Sequence, residues 1–116
     1  MAITQAYVMS AVTIGVTPIS VVSGTTTVND TAETGVFQLW VDGVTNMVKG
    51  DEFRIVISEK VKATGTRRTV FQAILSDVQA ELFVTPMLCL IHGWNMTITR
   101  TGGSDRAFDA SIRKIA

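Results

Sequence analysis

The stretch that most restricts this chain is Gly50 to Leu75, GDEFRIVISEKVKATGTRRTVFQAIL. Phe53, Ile55 and Ile57 are apolar at every second position, and Glu52, Arg54, Ser58 and Lys60 fall between them, with Val56 the exception. A period of two is the mark of a strand with one buried face, because successive side chains leave a pleated backbone on opposite sides. On a helix, steps of two turn about 200°, which scatters those three residues round the cylinder. The second arm, Arg68 to Leu75, is apolar on both faces: Phe71, Ala73 and Leu75 on one, Val70 and Ile74 with Gln72 on the other. That pattern predicts a more central strand. Lys62 to Thr66 is polar and contains Gly65, so the arms are expected to form a hairpin. Glu59 would then face Arg67 or Arg68.

Similar signals recur along the chain. Val36 to Val41, VFQLWV, puts Phe37, Leu39 and Val41 on a core face and Val36, Gln38 and Trp40 on the other. An aromatic as large as Trp40 pointing away from a core marks a sheet edge, a second layer or a partner surface. Tyr7 to Val16 predicts one or two strands ended or bent at Pro18, with Ile19, Val21 and Val22 in a further short strand. Val44 to Val48 reads as a loop or one helical turn, and Ser76 to Glu81 as a loop with room for a short turn. Leu82 to Ile91 is interrupted by Pro86, which predicts a bend or an edge strand. Trp94, Met96 and Ile98 alternate with polar residues, and so do Phe108, Ala110 and Ile112. With the turn Gly102 to Asp105 between them, Thr97–Arg100 and Phe108–Ile112 read as a second hairpin.

The expected architecture is therefore all-β: one antiparallel β-sandwich of seven or eight strands, jelly-roll-like, with immunoglobulin-like topology as the competing arrangement. Composition agrees, since Val, Ile and Thr supply 41 of the 116 residues and such side chains suit a pleated surface. This length fits a single domain over 1–116, divided into an uncharged N-terminal strand or arm (1–34, its first charge at Asp30) and a main sandwich (35–116). The N-terminal segment reads either as an ordinary strand or as an arm lying on a neighbouring subunit, where charge would be costly to desolvate; Tyr7 and Val12 are its candidate interface residues.

Ten basic and ten acidic residues cancel. A neutral chain lacks the electrostatic footprint of a nucleic-acid binder, so no direct nucleic-acid partner is expected. The longest apolar run is five residues, Met87 to Ile91, and no basic leader precedes an apolar segment, so no membrane partner and manufacture in a cytoplasm are expected. Cys89 is the single cysteine and lies among apolar neighbours, which reads as an inert buried thiol.

The pattern offers little chemistry. His92 is the single histidine, three residues after Cys89, a spacing that sends the two to opposite faces of a strand. No metal site, no cofactor and no catalytic residue is expected. The acid pairs Asp51/Glu52 and Asp77/Glu81 read as solvated turns, as do Asp105 and Asp109. Arg67 and Arg68 form a two-residue basic spot suited to an exposed hairpin or a partner's carboxylate, and with Trp40 they complete the set of candidate interface residues.

The succession GVFQLWVDG, KGDEFRIVISEKV, GTRRTVFQAILSDVQAE and TGGSDRAFDASIRKIA, over residues 35–116, resembles the small structural proteins of tailed bacteriophages, in particular head cement or decoration proteins. The resemblance implies a non-enzymatic virion protein on the capsid exterior. Its expected partners are the major capsid protein and further copies of itself, as a homodimer or homotrimer. A tail, fibre or baseplate β-module, receptor- or carbohydrate-binding, is the alternative.

Overall fold

In a computed structural model of the protein, residues 2–43, 47–79 and 81–115 are described; most of the Val44 to Val48 segment lies outside them. The strands among these residues are β1 (Ile3–Ile14), β2 (Ile19–Ser20), β3 (Gly35–Asp42), β4 (Glu52–Glu59), β5 (Arg68–Ser76), β6 (Phe83–Val84), β7 (Leu88–Leu90), β8 (Asn95–Gly102) and β9 (Arg106–Ile115). They form two antiparallel sheets. The first runs β1-β9-β3-β6, with β7 also on β3, and the second runs β2-β8-β4-β5.

The pairing is nested. β1 pairs with β9, β2 with β8, β3 with β6 and β7, and β4 with β5. A chain whose first strand meets its last, its second the next to last, and so inward to a central hairpin is one long hairpin rolled into two sheets. That is the jelly-roll winding. The fold is thus an all-β antiparallel sandwich, and the Gly50 to Leu75 hairpin is the innermost turn of the roll.

The core lies between the sheets. Phe37, Leu39 and Val41 from β3, Phe53, Ile55 and Ile57 from β4, Met96 and Ile98 from β8, and Phe108, Ala110 and Ile112 from β9 are all buried, as their alternation requires. Each of these side chains larger than Ala110 contributes roughly 1.5–3 kcal/mol of transfer free energy. Two aromatic contacts tie the sheets together: Phe53 of β4 meets Phe108 of β9 with centroids 4.7 Å apart, and Phe37 of β3 meets Trp94 at 4.6 Å.

Several expectations are corrected. β5 is the edge of its sheet, not a central strand. Its outward apolar residues Val70 and Ile74 remain half exposed, because alternation reports the two faces of a strand and carries no information about its neighbours. β8 and β9 do not form a hairpin: β8 lies between β2 and β4, whereas β9 lies between β1 and β3. The turn between them crosses from one sheet to the other. It is held by Asp51, which is buried, contrary to the solvated turn expected for it. Its carboxylate accepts from Ser104 N at 3.2 Å and from Arg106 Nε at 2.7 Å, and its Oδ2 also accepts from Val48 N at 3.0 Å. Gly103 fits this corner with φ +76°, and a Cβ there would come within 2.6 Å of Asp51 Cα. Pro86 divides 82–91 into two short strands that both pair with β3, which brings the described strands to nine. The second predicted N-terminal strand is shorter than expected, Ile19–Ser20, with Val21 buried in the turn after it. Cys89 is exposed: on β7 it sits opposite Val36 of β3 and faces outward, not into the core.

Candidate functional site

The outer face of the first sheet carries the most distinctive surface. Strand parity builds it. Residues that alternate with the buried Phe37, Leu39 and Val41 on β3, and with Phe108, Ala110 and Ile112 on β9, must face outward. The register aligns them in rows. Val8, Ser111, Trp40 and Val84 lie across four strands, Gln5, Arg113 and Gln38 across three, and Asp109 and Asp42 face each other at one end.

Trp40 stands in the middle of this face, half-buried. Its indole Nε1 donates to Gln38 Oε1 at 3.0 Å, and Gln38 Nε2 in turn donates to Thr85 O at 2.9 Å. The Arg113 guanidinium lies 3.9 Å from the Trp40 ring centroid, a cation–π stack across adjacent strands. These contacts orient the ring as a ridge between two depressions. On one side a groove of about 330 Å³ is bounded by Val8, Ser10, Asp42, Leu82, Asp109 and Ser111. On the other a smaller, apolar one of about 140 Å³ is bounded by Ile3, Val36, Met87 and Ile115.

The wall of the larger groove contains a distorted backbone. The β1·β9 register shifts between Met9 and Val12, and Ala11 adopts φ 49°, a left-handed conformation disfavoured for a residue with a Cβ. Ala11 N donates to Asp109 Oδ1 at 2.6 Å, so the bulge is clasped by an acid of the groove itself. The Ser111 hydroxyl donates to Gln5 Oε1 at 3.2 Å. The face therefore offers one aromatic platform, apolar flanks and a row of acceptors and hydroxyls.

Elsewhere, ionisable groups serve to tie segments together. Asp30 binds Lys60 at 2.5 Å and Arg67 at 2.9 Å, and these contacts, the Lys60 hydrogen bond foremost, hold its carboxyl below the usual range. Glu33 accepts from Lys114 Nζ at 2.9 Å and from Tyr7 Oη at 2.9 Å; the Lys114 bond foremost lowers its pKa. Burial, then Glu33, raises that of Tyr7. Asp51 is lowered to about 2, chiefly by the Arg106 hydrogen bond. Among the described residues no group of three or more His, Cys, Asp or Glu side chains is disposed to hold a metal ion, and no helix is long and apolar enough to cross a membrane.

The five residues singled out from the sequence do not converge. Trp40 is on the outer face. Tyr7 and Val12 are half-buried against the core, Tyr7 with its ring edge on Trp94 at 6.1 Å. Arg67 is engaged by Asp30, whereas Arg68 is exposed where β5 begins, opposite Glu59 as one of the expected pairings had it. The Glu59 carboxylate itself turns to the backbone N–H groups of Ile91 (2.6 Å) and His92 (3.0 Å). Gln38, Asp42, Asp109, Ser111 and Arg113 were missed as groove residues. Their shared alternation with buried neighbours was a signal, but the register that gathers them round Trp40 was not readable.

No known protein family matches the chain, and no curated protein matches it. Among solved structures it is similar to a xylan-binding domain from carbohydrate-binding module family 22, at 14% identity and TM-score 0.42, over 73% of this chain and 57% of that one. It is also similar to the CBM22-1–GH10 modules of Clostridium thermocellum xylanase 10B complexed with xylohexaose, at 13% identity and TM-score 0.43, over 75% of this chain and 17% of that one. The C-terminal family 22 module of the same xylanase gives 14% identity and TM-score 0.43, over 73% and 57%. The chain thus spans 57% of the first of these structures. The fold described above rests on the nested strand pairing.

Proposed function

We propose that the chain is a non-catalytic recognition domain that binds a carbohydrate along the groove beside Trp40. The observation that carries this reading is Trp40 itself: a tryptophan facing away from the core, fixed by Gln38 and Arg113 and bordered by Asp42, Asp109 and Ser111. A pyranose presents an apolar C–H face and a rim of hydroxyls. An indole takes the first by stacking, and carboxylates and hydroxyls take the second by hydrogen bonds. Titration of the protein with a panel of oligosaccharides, followed by calorimetry and tryptophan fluorescence, tests it. Binding that disappears in Trp40→Ala, with the fold intact, is the expected result. A panel to which wild type and Trp40→Ala respond alike would sink it.

A second reading, a virion protein seated on the capsid exterior against the major capsid protein, is favoured by the character of β1. This strand forms an edge of the first sheet, has no charged side chain, and leaves Ile3 and Val8 exposed. Co-sedimentation with assembled phage heads, lost in Ile3→Glu or Val8→Glu and indifferent to free sugars, would favour this reading over the first.

A further inference from the structure

The outer edge of β5 is open. β5 ends its sheet, with β4 on one side and no strand on the other among the described residues. An edge of this kind presents a row of unpaired N–H and C=O groups, and natural sheets usually blunt it with charge, proline or irregularity. The other edges are blunted by brevity or distortion. β2 and β6 are two residues each, and β1 has register shifts between Gln5 and Tyr7 and between Met9 and Val12. β5 has one shift, at Val70, and is regular from Phe71 to Ser76. That segment, FQAILS, has neither charge nor proline, and Ile74 on it is 48% exposed.

We propose that this edge is a homodimer seam, in which β5 pairs antiparallel with β5 of a second copy to join the two four-stranded sheets into one of eight. The charge at its ends selects this occupant and this direction. Arg68 lies at one end, exposed and with no carboxylate partner among the described residues; Asp77 lies just past the other, also exposed, its Oδ1 accepting from Gly50 N at 2.9 Å with no cation partner among the described residues. An antiparallel two-fold pairing brings Arg68 of each copy towards Asp77 of the other, twice per dimer, whereas a parallel pairing would set Arg68 against Arg68. Pairing centred on a residue between Phe71 and Leu75 also keeps outward backbone groups opposite outward ones, so the ladder closes. Six regular residues bury less than the roughly 800 Å² per partner of a standard interface, so association is weak and concentration-dependent. The seam leaves the Trp40 face free, so the dimer stands independently of what that face binds and would present two copies of it.

Sedimentation equilibrium over a concentration series, with amide hydrogen exchange at its two extremes, tests the seam. The wild type is expected to pass from monomer to dimer while the outward amides of residues 71–76 gain protection. Ile74→Lys, which puts charge on the open edge, and Arg68→Glu, which sets acid against Asp77, should each raise the half-dimer concentration by about tenfold or more. Added salt should act in the same direction on the wild type. Should Ile74→Lys not fold, Arg68→Glu gives the same readout at an exposed position. A chain monomeric at every concentration, a dimer indifferent to both substitutions, or protection rising along β1 in place of β5 would overturn the proposal.

Discussion

The two tryptophans divide the molecule into a closed region and an open one. Trp94 lies wholly inside, its ring against Phe37 and Tyr7 and its Nε1 donating to Glu33 O at 2.7 Å. Trp40 satisfies its N–H as well, through Gln38, but does so on the outer face with a guanidinium over its ring. Residue type does not distinguish them. Strand parity does: Trp40 alternates with Leu39 and Val41, whereas Trp94 precedes β8 in step with the buried Met96 and Ile98. One ring fills the gap between the sheets and the other lies half-buried on the outer face.

The sharpest test of this division is truncation. Trp94→Ala is expected to cost about 3–5 kcal/mol, the range for deleting a large buried aromatic, and to strand Glu33 O and the Tyr7 ring. Trp40→Ala is expected to cost about 1–1.5 kcal/mol, since it removes a half-buried ring and one cation–π contact and leaves no cavity. Urea unfolding of both variants measures the difference. Equal losses would erase the distinction between plug and platform.

Acid should separate the two regions next. In the closed region Glu33, tied to Lys114 and Tyr7, has a lowered pKa, and at the end of the sandwich Asp51 titrates near 2. A carboxyl whose folded pKa lies below its unfolded value stabilises fully above the unfolded value, about 4, and loses that contribution as pH falls through the folded one. Thermal stability is therefore expected to hold down to about pH 4–5 and to fall towards pH 2. Asp51→Asn should start lower and show a shallower fall. Glu33 and Asp51 bond to Tyr7, Lys114 and Arg106 and not to the Trp40–Arg113 stack, so the Trp40 indole signal should persist until the fold itself is lost. A melting temperature flat from pH 5 to 2 would show that these carboxylates contribute nothing specific.

How much of this was legible follows from what alternation encodes. The inward faces of β3, β4, β8 and β9 and the outward direction of Trp40 were readable, because a two-residue period fixes them locally. Sheet membership was not. Nothing in Thr97–Arg100 or Phe108–Ile112 reveals that the Gly102 to Asp105 turn crosses between layers, since that depends on Asp51, roughly fifty residues earlier, reaching Ser104 and Arg106. Val70 and Ile74 suggested a buried centre and mark an open edge, because an apolar outward face looks the same whether a neighbour covers it or awaits one. The candidate site failed likewise: Arg113 meets Trp40 only through the β3·β9 register.

A smaller perturbation asks whether Arg113 positions Trp40. Arg113→Met keeps most of the side-chain stem and removes the cation, and the expected cost in stability is about 0.5–1 kcal/mol. If the stack fixes the ring, Trp40 emission should shift and broaden, and oligosaccharide affinity should fall more than stability does. An unchanged spectrum would mean that the Gln38 hydrogen bond alone holds the indole.

The smallest expected effect has the opposite sign. Ala11 is held at φ 49°, where its Cβ crowds the carbonyl that follows at a cost of about 1–2 kcal/mol. Glycine removes that crowding but loosens the unfolded chain by about 0.4–1 kcal/mol, so Ala11→Gly should stabilise by about 0.5 kcal/mol. A raised urea midpoint at constant slope would register it. Strain of this kind persists where the surroundings over-determine it, and here the Asp109 carboxylate holds the strained residue's own N–H. The closed region round Trp94 shows no such outlier. If Ala11→Gly stabilises the fold and weakens binding in the Trp40 groove, the bulge shapes that groove at the expense of stability. If it destabilises, the left-handed turn is carried by packing and the open face is no more strained than the closed one.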